Sequence, residues 1–297
     1  MRLRSTATVT RAPDWFAPHA QSPRASLGKI MLELSILTQE QHIAVLEAQL
    51  RSGKLYGETA IELGFAEPNH VQRALEHQHK FHILDSNNDE IDHRIITAFD
   101  PHDDFSKSIR TLRGTLSSMQ SMTETQIKTI AIVGVETPAE TSLIAANLAV
   151  VCAQAEYRTI LIDANADFPT QNRLFHLPNR IGVTTLLSTE TGLVDTLQQS
   201  AMPNLRLISA GPSVPNSSEL FERTPLFHRV HSLRDTYDFL IVDAGTHGIN
   251  SFGAVCEGAD GVVITVKKNY SHTRTLKAMI TAFETRGINI IGTILTN

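Results

Sequence analysis

Cysteine is nearly absent: Cys152 and Cys256 are the only two in 297 residues. Two thiols so far apart exclude a disulfide framework and a thiolate metal centre, and both are expected to be free and buried. No apolar run approaches the length that crosses a bilayer. The N-terminal segment carries basic residues without the apolar stretch of a secretory signal, so a cytoplasmic protein is expected. Neither sign of charge dominates. With 26 Lys+Arg against 31 Asp+Glu and a formal net charge of -5, a main role coating nucleic acid or anionic lipid is excluded.

What is present is a hydrophobic fraction of 41 %, enough for one sizeable core and a second small domain. Residues 1–25 mix Pro, Ser, Arg and Ala without periodicity and read as a flexible leader. An internal repeat follows: "LGKIMLELSILTQEQHIAVLEAQ" aligns with "YGETAIELGFAEPNHVQRALEHQ" at a shift of 29 residues, matching Gly28 with Gly57, Glu33 with Glu62 and Leu46 with Leu75. Each copy is a short apolar helix, a turn and a second helix, opening at Thr38 in one copy and near Glu67 in the other. Two copies bury apolar faces that one alone would expose. Gly28 and Gly57 are expected as packing glycines. In "EHQHKFH", His77, His79 and His82 fit no strong metal-ligand spacing and read as an exposed helix end.

The polar stretch 85–93 reads as a linker, and residues 103–122 as a helix. From residue 127 onward, "KTIAIVG", "RTILID", "NLRLIS", "DFLIVD", "GVVITV" and "INIIGTIL" are apolar strands. Helical spacing lies between them, especially over 142–155, 221–234 and 271–285. Continuous Val/Ile/Leu strands with crossover helices predict a mostly parallel, doubly wound α/β sheet covered on both faces. The expected division is a leader (1–25), a helical two-repeat domain (26–84), a linker with a helix (85–125) and the α/β domain (126–297). Ligands of such sheets sit at the carboxyl ends of the strands, where "VGVETPAETS", "DANADFP" and "DAGTHG" fall.

These segments, with "LFHLPNRIGVTTLLS", "AGPSVPNSSELF" and "INIIGTILTN", resemble the deviant-Walker P-loop NTPase-like family, and within it the bacterial tyrosine kinases of exopolysaccharide and capsule synthesis. The resemblance covers roughly residues 105–297. The repeat resembles the N-terminal domain of type II secretion and pilus-assembly ATPases of the MshE kind, some of which bind cyclic di-GMP. That ligand is not expected, because Ser26 and Leu55 stand where binders place arginine.

The kinase resemblance implies a phosphate loop ending Gly-Lys-Ser, and this chain has Glu140, Thr141 and Ser142. Such a loop works through glycines that let backbone N–H groups reach phosphate, a lysine, and a hydroxyl on Mg²⁺. Only the Ser142 hydroxyl is kept. Gly134 comes one residue too early, and Pro138 lacks an N–H. Glu140 is expected to place a carboxylate against the polyphosphate, costing roughly 4 kcal/mol for like charges about 4 Å apart at an effective dielectric of about 20.

The second motif keeps Asp163 but has Asn165 for the second acid and Asp167 for the arginine. The third keeps Asp243, followed by "AGT". If the site functions, ATP with Mg²⁺ held by Ser142, Asp163 and Asp243 is implied, with Asp163 and Asp243 as the catalytic acids. Otherwise those acids are vestigial and no cofactor is expected. Arg110 and Arg113 match arginines of the family's assembly helix, whose acid is here Lys107. Asn216 and Glu219 mark the family-like turn as a candidate interaction surface. Tyr56, Tyr157, Tyr237 and Tyr270 are scattered, with no tyrosine-rich tail before Asn297.

The reading is a degenerate tyrosine-kinase-like scaffold or regulator. The implied partner is a membrane-embedded chain-length (co-polymerase) protein, through which the chain would reach the inner membrane. A homo-oligomer, or a hetero-oligomer with an active homologue, is also implied. The alternatives are an active ATP-dependent tyrosine autokinase and a partitioning- or positioning-type (ParA/MinD-type) ATPase switch.

Overall fold

A computed structural model describes residues 27–78, 83–85, 87–122, 127–136, 138–246 and 249–296. The expected leader, His79 and His82 lie outside the described residues, as does the side chain of His77. The chain divides into two compact units, Met1–Phe81 and His82–Asn297.

In the first unit, α1 (Leu27–Glu33) and α2 (Gln39–Ser52) form one repeat, and α3 (Tyr56–Glu62) and α4 (Pro68–Gln78) the other. Helix α2 opens with a capping box, the Thr38 hydroxyl accepting from the Gln41 N–H at 3.2 Å while the Gln41 amide returns to the Thr38 N–H at 2.9 Å. It closes on Gly53, whose φ of 69° is the left-handed conformation that suits glycine. The repeat is pseudo-symmetric at side-chain level. A Cβ on Gly57 would meet Val71 at 2.6 Å, and one on Gly28 would meet His42 at 2.5 Å and Tyr56 at 2.9 Å. Val71 and His42 are equivalent positions of the two copies, so each glycine admits the matching residue of its own second helix. The first copy carries a polar version, His42 Nδ1 lying 2.6 Å from the Tyr56 hydroxyl.

The second unit begins with a short helix, α5 (Ile96–Phe99), and the longer α6 (Asp104–Met122). The polar stretch 85–93 hides Ile91, which with Ile95 and Ala98 is fully buried in the core of this unit. Side chains of α7 (Pro138–Gln154) hold it there. Asn147 Oδ1 accepts from the Thr97 N–H at 3.1 Å and hydroxyl at 2.9 Å, and Gln154 donates to the Thr97 carbonyl at 2.7 Å.

Seven strands form one sheet: β1 (Thr129–Gly134), β2 (Thr159–Asp163), β3 (Gln198–Gln199), β4 (Leu205–Ile208), β5 (Phe239–Gly245), β6 (Gly261–Lys267) and β7 (Ile290–Thr296), in the order β3-β4-β2-β5-β1-β6-β7. All pairings are parallel except that of β3, a two-residue antiparallel edge that no sequence pattern announced. Alternate residues of β1 enter opposite cores: Ala131 and Val133 face one, Ile130 and Ile132 the other.

Helices α8 (Gln171–Leu174) and α9 (Val183–Ser188) follow β2, α13 (Ile249–Cys256) follows β5, and α14 (Thr273–Thr285) precedes β7. The helical spacing over 221–234 is realised as three short helices rather than one: α10 (Ser217–Arg223), α11 (Leu226–Val230) and α12 (Leu233–Thr236). Pro225 caps the second of these; proline restricts the residue before it to extended backbone, and Thr224 has φ -136° and ψ 94°. Cys152 and Cys256 are free and buried, and desolvation pushes each thiol up to about 12. Among the described residues no helix is long and apolar enough to cross a membrane.

Candidate functional site

The sheet order places the carboxyl ends of β2, β5 and β1 side by side, and three retained residues meet there. Asp163 ends β2 and pairs in register with Asp243 on β5. Ser142 lies in the second turn of α7. All three are 0 % exposed. Gln171, at the start of α8, ties them together: its side-chain amide donates to Asp243 Oδ2 at 2.7 Å and to the Ser142 carbonyl at 3.0 Å. This bridge was not foreseen, because nothing in the pattern of residues 170–174 separates Gln171 from a surface residue.

Backbone donors fix the acids. Asp163 accepts N–H groups from Asn165 (3.1 Å), Thr170 (3.0 Å) and Gln171 (2.9 Å), and Asp243 accepts the Gly245 N–H at 3.0 Å. Desolvation first, then the Asp243 charge beside it, pushes the Asp163 carboxyl up to about 8 against the pull of those N–H groups. Among the described residues the Ser142 hydroxyl has no hydrogen-bond partner. A buried hydroxyl without a partner and two carboxylates are donor types that suit a hard divalent cation. No group of three His, Cys, Asp or Glu side chains among the described residues is arranged to hold a metal.

Helix α7 opens at Pro138. Thr141, in the first turn of α7, is fully buried, and its hydroxyl lies 2.8 Å from that of Thr265 on β6. Gly134 is retained for a local reason, since a Cβ there would lie 2.1 Å from the Thr141 hydroxyl.

Glu140 behaves differently from the sequence expectation. Its carboxylate pairs with Lys267 at the end of β6 and accepts the Thr296 hydroxyl of β7 at 3.2 Å. Both partners lie on the side of β1 opposite β2 and β5, so the full Coulomb penalty expected of an unpaired carboxylate does not apply.

The other departures from the family pattern also find partners. Asn165 lies against Gly245, whose φ is 61° and whose Cβ, if present, would come within 2.3 Å of the Asn165 amide carbon. Asp167 accepts the Ser217 hydroxyl at 2.5 Å, joining the second motif to the "PNSSELF" turn. In that turn Asn216 takes a left-handed φ of 54° and its amide lies 3.4 Å from Glu219 Oε1. Arg110 bends back to donate to the Pro101 carbonyl, and Arg113 is half-buried on the same helix.

A parallel sheet in this order, with an acid ending each of two adjacent strands and a helix opening directly after the central strand, defines a P-loop NTPase-like fold. No family model matches the chain. CapB of Staphylococcus aureus, which carries the name tyrosine-protein kinase, is 30 % identical over 201 residues, covering 66 % of this chain and 85 % of CapB. The chain therefore belongs to the bacterial tyrosine-protein kinase family.

Two solved structures share the fold. The chimerical protein CapA2B2 superposes with a TM-score of 0.61 at 26 % identity, covering 75 % of this chain and 97 % of that one. The kinase domain of the Escherichia coli tyrosine kinase ETK does so with a TM-score of 0.63 at 23 % identity, covering 68 % and 79 %. The chain spans only 26 % of the tyrosine-protein kinase ptk of Acinetobacter johnsonii and 27 % of etk of Escherichia coli K12.

Proposed function

We propose that the protein is a family member that keeps the kinase fold without its phosphate-handling loop. It serves as a cytoplasmic scaffold or regulator of a membrane-embedded chain-length protein in exopolysaccharide or capsule synthesis. The observation that carries this reading is Thr141: the position of the lysine holds a buried threonine bonded to Thr265. Ser142, Asp163 and Asp243 fit a divalent cation, but among the described residues of the loop none supplies a cation for a triphosphate, and no catalytic step is derived through one. The paired departures at Asn165 with Gly245 and Asp167 with Ser217 support the same reading, since they act as packing and hydrogen bonding within the fold.

A partner surface formed by the "PNSSELF" turn, with Asn216 and Glu219, and by the α6 arginines Arg110 and Arg113, belongs to this proposal. So does assembly with itself or with an active homologue. Cyclic di-GMP is not part of it; Leu55 is 70 % exposed and apolar, and Ser26 lies outside the described residues. Titration of the full chain with MgATP tests the reading, and saturable binding tighter than about 100 μM, equivalent to more than about 5 kcal/mol, would contradict it.

One observation favours a second reading, a residual autokinase: Gln171 brings the Ser142 backbone and Asp243 within reach of one amide. Labelled phosphate appearing on tyrosine in the purified protein selects that reading.

A further inference from the structure

The loop that lacks a lysine carries two acids, Glu136 and Glu140, and both are engaged by donors from the other side of β1. Glu140 pairs with Lys267 and accepts the Thr296 hydroxyl at 3.2 Å. Glu136 Oε1 lies 3.4 Å from the backbone nitrogen of His272, the residue capping α14, while its Oε2 is buried and has no partner among the described residues. Glu140 therefore takes an ammonium and a hydroxyl, and Glu136 a backbone N–H, from the β6–β7 side of the sheet. Those donor types are the ones that bind phosphate oxygens. Beside them lies a cavity of about 550 Å³ lined by Glu136, Asn269, Tyr270 and His272. Tyr270 is 58 % exposed, its ring centroid 5.9 Å from Lys267 Nζ.

We infer that Lys267, Thr296 and the His272 N–H form a polyphosphate subsite that the chain fills with its own carboxylates. Lys267 supplies, from the end of β6, the cation missing from position 141. Glu140 and Glu136 stand in for two phosphate groups and hold the site closed. Glu136 is the weaker of the two holds, with one long contact and one oxygen left without a donor. This inference rests on the proposed loss of ordinary nucleotide binding and adds the reason the retained acids are not served by a phosphate chain.

The test is calorimetric titration of the full-length Glu136→Gln/Glu140→Gln variant with inorganic tripolyphosphate and, separately, with ATP. Glutamine keeps the side-chain shape and removes the charge that competes for Lys267. The variant is expected to bind tripolyphosphate at least about tenfold more tightly than wild type, and a further Lys267→Met change should abolish the gain. An equal gain for both ligands supports a subsite reading the phosphate chain alone, and a larger gain for ATP supports a nucleotide as its source. A folded variant with no gain, or a gain that survives Lys267→Met, overturns the inference. Should the double variant fail to fold, Glu140→Gln alone carries the same expectation and the same contrary outcome. Wild-type binding of MgATP is a separate result, which would strike the proposed function rather than the existence of this subsite.

Discussion

The hydroxyls of Thr141 and Thr265 lie 2.8 Å apart, inside the sheet's covering layer, with 0 % and 2 % of each residue exposed. The pair joins the first turn of α7 to β6. Lysine at position 141, with the loop otherwise unchanged, would place a charge in that buried spot. Thr141→Lys is expected to destabilise the protein by about 3–5 kcal/mol, whereas Thr141→Val should cost about 1 kcal/mol for the lost hydrogen bond. Urea unfolding midpoints of the two variants measure the difference.

The Asp163 and Asp243 pair makes stability depend on pH. Asp163 titrates near 3.8 unfolded and about 8 when folded, so between those values the folded state binds more protons than the unfolded one. Unfolding free energy therefore falls as pH rises from about 4 toward about 8, the reverse of a salt-bridged carboxylate. In metal-free buffer, denaturation at several pH values should show this slope, and Asp243→Asn should flatten it by removing the like charge. A stability that rises across the same window would contradict the assignment.

Asp167 tests whether the departures from the family pattern are structural. Its carboxylate accepts the Ser217 hydroxyl at 2.5 Å. Restoring the family's arginine, Asp167→Arg, removes that acceptor and is expected to cost about 1 kcal/mol, with Ser217→Ala giving a similar loss and the double change little more. A denaturation double-mutant cycle reads this directly.

The helical unit offers a steric test. Gly57→Ala would bring its Cβ to 2.6 Å from Val71, beside the small core of the paired repeats built on Ile30, Met31, Leu37 and Val45. Loss of about 1–3 kcal/mol is expected. In the full chain, hydrogen exchange should accelerate in α1 to α4 while the sheet keeps its protection. Asn147→Ala is the corresponding test in the second unit: it strips the Thr97 N–H of its acceptor and leaves the Thr97 hydroxyl only the Asn147 backbone carbonyl at 3.3 Å, and faster exchange is expected over residues 94–99.

Much of the sheet was legible in the sequence because its strands are Val/Ile/Leu-rich runs, buried throughout in β1, β2 and β5, which leave little room for another assignment; the edge strand β7 has the same pattern but no buried residue. The repeat was legible through its glycines, which the structure places at close helix contacts. The small pieces were not. Strand β3 has two residues and no hydrophobic period, and Ile91 sits alone in a polar stretch whose burial depends on Asn147, Gln154 and the Asp92 N–H to the Leu174 carbonyl. Glu140 shows the same limit at the site. Its residue type was read, but its direction was not, because Lys267 and Thr296 reach it only after β6 and β7 have paired beside β1.

The most direct measurement is calorimetric titration of the full-length wild-type protein with MgATP at low ionic strength. The account predicts no saturation below about 1 mM, corresponding to less than about 4 kcal/mol of binding free energy. Saturation at or below about 100 μM, lost on Ser142→Ala, would contradict it by showing that the segment between β1 and α7 still holds a triphosphate.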